Sequence, residues 1–103
     1  MLGALLLAGC AETGHVDLRN DTEDDVSVRF TDEEAMADLG ADGVVDVPAT
    51  GGASIPSSTC YDGPFLVTYP DGRIIEVRGD LCPGQELWVR DGAAELRETS
   101  SSG

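Results

Sequence analysis

The chain has no lysine and a single histidine, His15. Without lysine a phosphate-binding loop of the GxxxxGK type is impossible, and neither GxGxxG nor GxSxG stands in its place. Any Ser-His-Asp or Cys-His site would have to use His15. No apolar run approaches the roughly 20 residues a helix needs to cross a bilayer. There is no CxxC pair, and Cys60 and Cys82 stand 22 apart with no histidine beside them, which excludes the usual redox and zinc spacings. Aromatic rings are few (Phe30, Tyr61, Phe65, Tyr69 and Trp88), so the core must be built from Val, Leu and Ile. Basic residues are scarcest of all: six arginines oppose 20 acids, for a net charge of −14. Such a surface repels nucleic acid and anionic headgroups and attracts cations and basic proteins. Its plainest role is a solvated surface that keeps the domain soluble.

What is present begins with residues 1–9, MLGALLLAG, which carry no charge. Nine residues suit the apolar stretch of a signal peptide rather than an anchor helix. No basic residue precedes them, so the true start of translation is expected upstream of Met1. The run ends in Leu7-Ala8-Gly9-Cys10, which resembles the lipobox of bacterial lipoproteins. The resemblance implies that the thiol of Cys10 is lipidated, that the bond before it is cut, and that the new amine is acylated. Residues 10–15 then form a lipidated tether holding His15. The resemblance also implies an extracytoplasmic protein, lipid-anchored to the cell membrane or outer membrane; Ala11 is permissive for outer-membrane sorting. Three pairings of the three cysteines are conceivable. Lipidation of Cys10 removes two of them and leaves Cys60 with Cys82, a disulfide suited to an oxidising compartment.

A length of 103 residues allows one domain with one core. Val16 and Leu18 alternate with Asp17 and Arg19, the period of a half-buried strand, and Val26, Val28 and Phe30 repeat the pattern after the polar turn Asn20–Asp25. These two strands are expected to pair as a hairpin. Thr31 and Glu34 match a capping box, and a short helix is predicted over 32–39, ended by Gly40. Further strands are predicted around Val45 and Val47, over 64–69 and 73–78 about the turn Pro70-Asp71-Gly72, at Leu87–Val89, and at Ala94–Leu96 after Asp91-Gly92. The Cys60–Cys82 disulfide would close the base of the 64–78 hairpin. The expected fold is all-β: a small antiparallel β-sandwich or barrel over 16–98, with one short helix, one disulfide and a disordered tail over 99–103.

Candidate chemistry is thin. The clusters Glu23-Asp24-Asp25 and Asp32-Glu33-Glu34 invite calcium, but they sit at opposite ends of one strand, roughly 20 Å apart at about 3.3 Å per residue. No metal or cofactor site is assigned. Asn20-Asp21-Thr22 is a glycosylation sequon, and an asparagine in a turn explains it equally. The leading expectation is a non-catalytic envelope lipoprotein, attached through Cys10, whose acidic β-domain serves binding or surface display, with a cationic protein as the partner its charge favours. The first alternative is an inhibitor of a cationic hydrolase. Cys60-Tyr61-Asp62-Gly63, Val67-Thr68-Tyr69 and Trp88–Leu96 are similar to segments of periplasmic lysozyme inhibitors, although too few residues separate the pieces and the Ser-Gly-x-x-Tyr loop is missing. The second alternative is a small carboxylate-dependent enzyme, with Glu86 and Glu95 facing each other across the last hairpin.

Overall fold

A computed structural model describes residues 14–40 and 42–99. The apolar-alternating segments fold as strands because one face of each finds a core. They are β1 (His15–Asn20), β2 (Val26–Phe30), β3 (Val44–Val47), β4 (Gly51–Pro56), β5 (Tyr61–Asp62), β6 (Phe65–Thr68), β7 (Ile74–Val77), β8 (Asp80–Leu81), β9 (Gln85–Arg90) and β10 (Ala93–Glu98), with one helix, α1 (Glu33–Leu39), between β2 and β3. The front sheet has the order β10-β9-β1-β4 and the back sheet β3-β2-β6-β7; β5 and β8 form a small two-stranded piece. The domain is a small, largely antiparallel β-sandwich.

The expected β1–β2 hairpin does not form. β1 pairs with β4 and β9 in the front sheet, while β2 pairs with β3 and β6 in the back sheet. Loop 21–25 crosses from one sheet to the other, so β1 and β2 bury their apolar sides in the same core from opposite sheets. The β1–β9 pairing is parallel, the one departure from antiparallel order among the described pairs. The β6–β7 and β9–β10 hairpins form about the expected turns.

The core holds Val16, Leu18, Val28, Val47, Val67, Leu87 and Val89, all fully buried. Phe30 packs edge-on to Tyr61 (centroids 5.5 Å apart) and Phe65 (5.2 Å), a geometry aromatic pairs favour. The buried Tyr61 donates its hydroxyl to Asp38 on α1 at 2.8 Å and so fastens the helix to the sandwich. The helix starts one residue later than the capping box implied. Asp32 is the N-cap, accepting from the Glu34 amide, while Thr31 turns its hydroxyl to the Pro64 carbonyl. Cys60 and Cys82 are bonded, with Cα atoms 4.0 Å apart. They lie just beyond the Tyr61–Leu81 pair of β5 and β8.

Candidate functional site

The outer face of the front sheet is where polar side chains converge. Val16, Leu18, Leu87 and Val89 point to the core, so their neighbours Asp17, Arg19, Glu86, Trp88 and Arg90 point outward. Register sets them in rows. Asp17 stands level with Glu86 on one side and Ser54 on the other, and Arg19 stands between Trp88 and Gly52. On β10, Arg97 is level with Glu86 and Glu95 with Trp88.

Neighbours in these rows are mutually bonded. Arg97 Nε donates to Glu86, a carboxylate only 6 % exposed. Ser54 donates its hydroxyl to Asp17. Asp21 accepts from Trp88 Nε1 at 2.6 Å and from Arg19 Nε at 3.1 Å. The Trp88 bond first, and Arg19 second, hold the Asp21 carboxyl below the usual carboxylate range. Trp88 also lies under two guanidiniums, Arg97 at 3.6 Å and Arg90 at 4.3 Å from the ring centre. Arg90 follows Trp88 by two residues on β9, and Arg97 is level with a residue two before it. The indole therefore makes two cation–π contacts, each worth about 0.5–1 kcal/mol for an exposed pair.

Beside this stack lies an open groove of about 500 Å³, lined by Asp17, Arg19, Asp21, Ser54 and Glu86 and floored by Gly51 and Gly52. Gly52 has no substitute: a Cβ there would come within 2.6 Å of the Leu18 carbonyl oxygen. Thr50, at φ 49°, sits at its rim in the left-handed region, which a β-branched residue rarely occupies.

The structure redistributes the residues singled out in the sequence. Cys10, the leader and most of the tether lie outside the described residues; so does the tail after Thr99, whose amide and hydroxyl both donate to the Gly84 carbonyl. His15 belongs to β1 rather than to a tether, near Asp17 at 3.8 Å. Glu86 and Glu95 do not face each other: the Asp91-Gly92 turn sets a register that puts Arg97 opposite Glu86 and Trp88 opposite Glu95. In the two acidic clusters, Asp25 accepts from the Ala49 amide and Asp32 caps α1. Among the described residues no group of three or more His, Cys, Asp or Glu side chains is placed to hold a metal. Asp62 and Asp80 are directly opposed across β5 and β8, and Asp80 first, then Asp32, raises the Asp62 carboxyl above its ordinary value.

Asn20 is the residue whose role sequence reasoning missed. It is fully buried. Its Nδ2 donates to the carbonyls of Asp24 (2.8 Å), Val47 (3.1 Å) and Pro48 (3.1 Å), and its Oδ1 accepts from the Thr22 amide and hydroxyl. With that nitrogen committed inside the fold, the sequon is closed to glycosylation in the folded domain. Trp88 was legible as a strand residue, but its partners lie on its own strand (Arg90), on β10 (Arg97) and in the loop after β1 (Asp21), and only the folded register assembles them.

No protein family, curated protein or solved structure matches this chain.

Proposed function

We propose that the chain is an extracytoplasmic lipoprotein, anchored to the membrane through an acylated Cys10, whose acidic β-sandwich binds a partner without catalysing a reaction. The observation that carries the reading is the Cys60–Cys82 bond. It occupies two of the three cysteines and leaves Cys10 alone at the end of Leu7-Ala8-Gly9-Cys10, where lipidation gives it a use. A disulfide in so small a domain belongs to an oxidising compartment. Two acyl chains or more hold a protein stably on a bilayer, where one does so only weakly. The binding role is supported by the outer face of the front sheet, whose carboxylates are tied to Arg19, Ser54, Trp88 and Arg97 rather than left as an acid–base pair. The net charge of −14 steers the domain away from nucleic acid and towards cationic protein partners.

Intact-mass measurement of the membrane fraction tests this. The mature protein is expected to begin at Cys10, to carry lipid mass, and to hold no free thiol. Cys10→Ser is expected to release the protein from the membrane or stall its processing. A soluble wild type with an unmodified Cys10 would overturn the reading.

A further inference from the structure

We infer that the open edge of β4 is a docking site for an extended, lysine- or arginine-bearing segment of a basic partner protein, which adds to the front sheet as a further strand. The inference rests on the reading of the domain as a binder and names the surface and the kind of partner.

The first argument is the edge itself. An unpaired strand edge is a template for another chain, and proteins ordinarily guard it with charged side chains or proline. The edge strands of the two sheets are β10, β4, β3 and β7. β10 carries Glu95, Arg97 and Glu98, β3 carries Asp46, and β7 carries Glu76. β4 carries no charge, and its one guard is Pro56 at the end of the strand. The uncharged stretch runs over residues 48–61, in a chain where 25 % of residues are charged.

The second argument is the direction of the backbone groups. β4 pairs with β1 and, among the described residues, with no strand on its other side. The Ser57 amide donates to the Gly14 carbonyl at 3.0 Å. That pair continues the β1–β4 register, and hydrogen-bonded pairs alternate along an antiparallel ladder. The bonds to β1 therefore run through Ile55 and Ala53. The amides and carbonyls of Gly52 and Ser54, both exposed residues, are left for the open side. Amides and carbonyls at every second residue are what an added strand pairs with.

The third argument is charge. The groove on the outer face borders β4, and its charged lining is Asp17, Asp21 and Glu86 against Arg19 alone. Ser54 is level with Asp17, so only a short hydroxyl side chain stands between the open edge and that carboxylate. An added strand would lie two strand spacings from β1, about 10 Å, a span that a lysine or arginine reaching toward a carboxylate covers. Alternate side chains of a strand share one face, so basic residues at every second position would all turn toward the groove. An acidic segment would meet three carboxylates there. A second copy of this chain, with its own net charge of −14, is repelled.

The test titrates the full chain, in neutral detergent, with three short peptides. One alternates valine and lysine, one has glutamate in place of lysine, and one is the lysine peptide with every amide N-methylated, which keeps the charge and removes the donors. Hydrogen exchange at single amides, followed by NMR, locates binding. Saturable protection of the Gly52 and Ser54 amides by the lysine peptide, weakened by salt and lost on N-methylation, supports the inference. Asp17→Asn should weaken that peptide about threefold, the size of one exposed charge pair. Ser54→Lys, which places a charge on the edge at an exposed position, should abolish the protection, and an unchanged urea midpoint shows that the fold is intact. Equal protection by the glutamate peptide overturns the basic partner. Equal binding of the N-methylated peptide overturns strand addition in favour of charge alone. Protection that grows with protein concentration in the absence of peptide overturns the partner in favour of a second copy. No protection with any peptide overturns the site and leaves the lipid anchor standing; an unlipidated Cys10 beside a protected β4 edge would do the reverse.

Discussion

Replacing Asn20 tests whether one buried carboxamide holds the two sheets in their relative place. Its side chain joins the end of β1 to the crossing loop and to the β3–β4 turn. In Asn20→Ala the damage is uneven. The Pro48 carbonyl still accepts from the Gly51 amide, and the Asp24 carbonyl still accepts from the Thr22 hydroxyl. The Thr22 amide loses its acceptor in a residue only 8 % exposed. One orphaned buried donor costs about 1–3 kcal/mol, and the lost bond to the Val47 carbonyl about 0.5–1.5 kcal/mol, so a loss of about 2–4 kcal/mol is expected. That is a large share of a stability of about 5–15 kcal/mol. Asn20→Asp has nearly the same shape but turns an oxygen toward three carbonyls. At neutral pH it should cost more, about 3–5 kcal/mol, as for a buried charge left without a partner. The introduced carboxyl would have a raised pKa in the folded state, so the missing stability should return as pH falls through that raised value, where a protonated oxygen can donate again. Urea unfolding followed by Trp88 fluorescence gives both numbers. An Asn20→Ala midpoint within about 0.5 kcal/mol of wild type, the scale of an ordinary surface substitution, would refute the reasoning.

Two further outcomes follow from the β5–β8 end of the domain. Cys82→Ser should destabilise by about 2–5 kcal/mol, the usual loss for a small secreted domain, measured by urea denaturation under oxidising conditions; a midpoint equal to that of the disulfide form would contradict it. Asp80→Asn should raise stability at neutral pH, because it removes the carboxylate directly opposite Asp62. The sign is set by the raised Asp62 carboxyl: the folded state holds that proton more tightly, so the relief is complete below the ordinary carboxylate range and is lost as pH rises through the raised value. The gain from Asp80→Asn should therefore vanish in acid, and a gain of equal size at low pH would point to another cause.

The strands with clean alternation were legible in the sequence: β1, β2, β6, β7 and β9 follow from Val, Leu, Ile and Phe at every second position, and β10 from Ala94 and Leu96 after the Asp91-Gly92 turn. β4 was not, because Gly51-Gly52-Ala53-Ser54-Ile55-Pro56 offers only Ala53 and Ile55 to the core and reads as loop. Its partner β1 supplies the apolar surface that makes it a strand. The β1–β2 hairpin was a natural reading of two short strands joined by polar residues. Nothing local marks that loop as a crossing, since Asn20 finds its acceptors at Val47 and Pro48, far along the chain. The Glu86–Glu95 juxtaposition failed for a related reason: composition names the residues on a hairpin, but the turn decides which of them meet. The disulfide was legible because the chain offers few cysteines and the hairpin between them brings them level. The groove was not, since it needs three strands in register and two glycines whose value is the side chain they lack.

The place of β1 bears on how the domain responds to force. β1 is an inner strand of the front sheet, paired through six residues to β4 and through four to β9. Tension entering at His15 runs along that strand and loads both ladders in shear, so their hydrogen bonds resist together instead of peeling one at a time. A β-domain pulled from its leading edge strand would unzip. Resistance to such a pull is governed by the rate of unfolding rather than by equilibrium stability, and in this topology the pulled strand is clamped on both sides along its length.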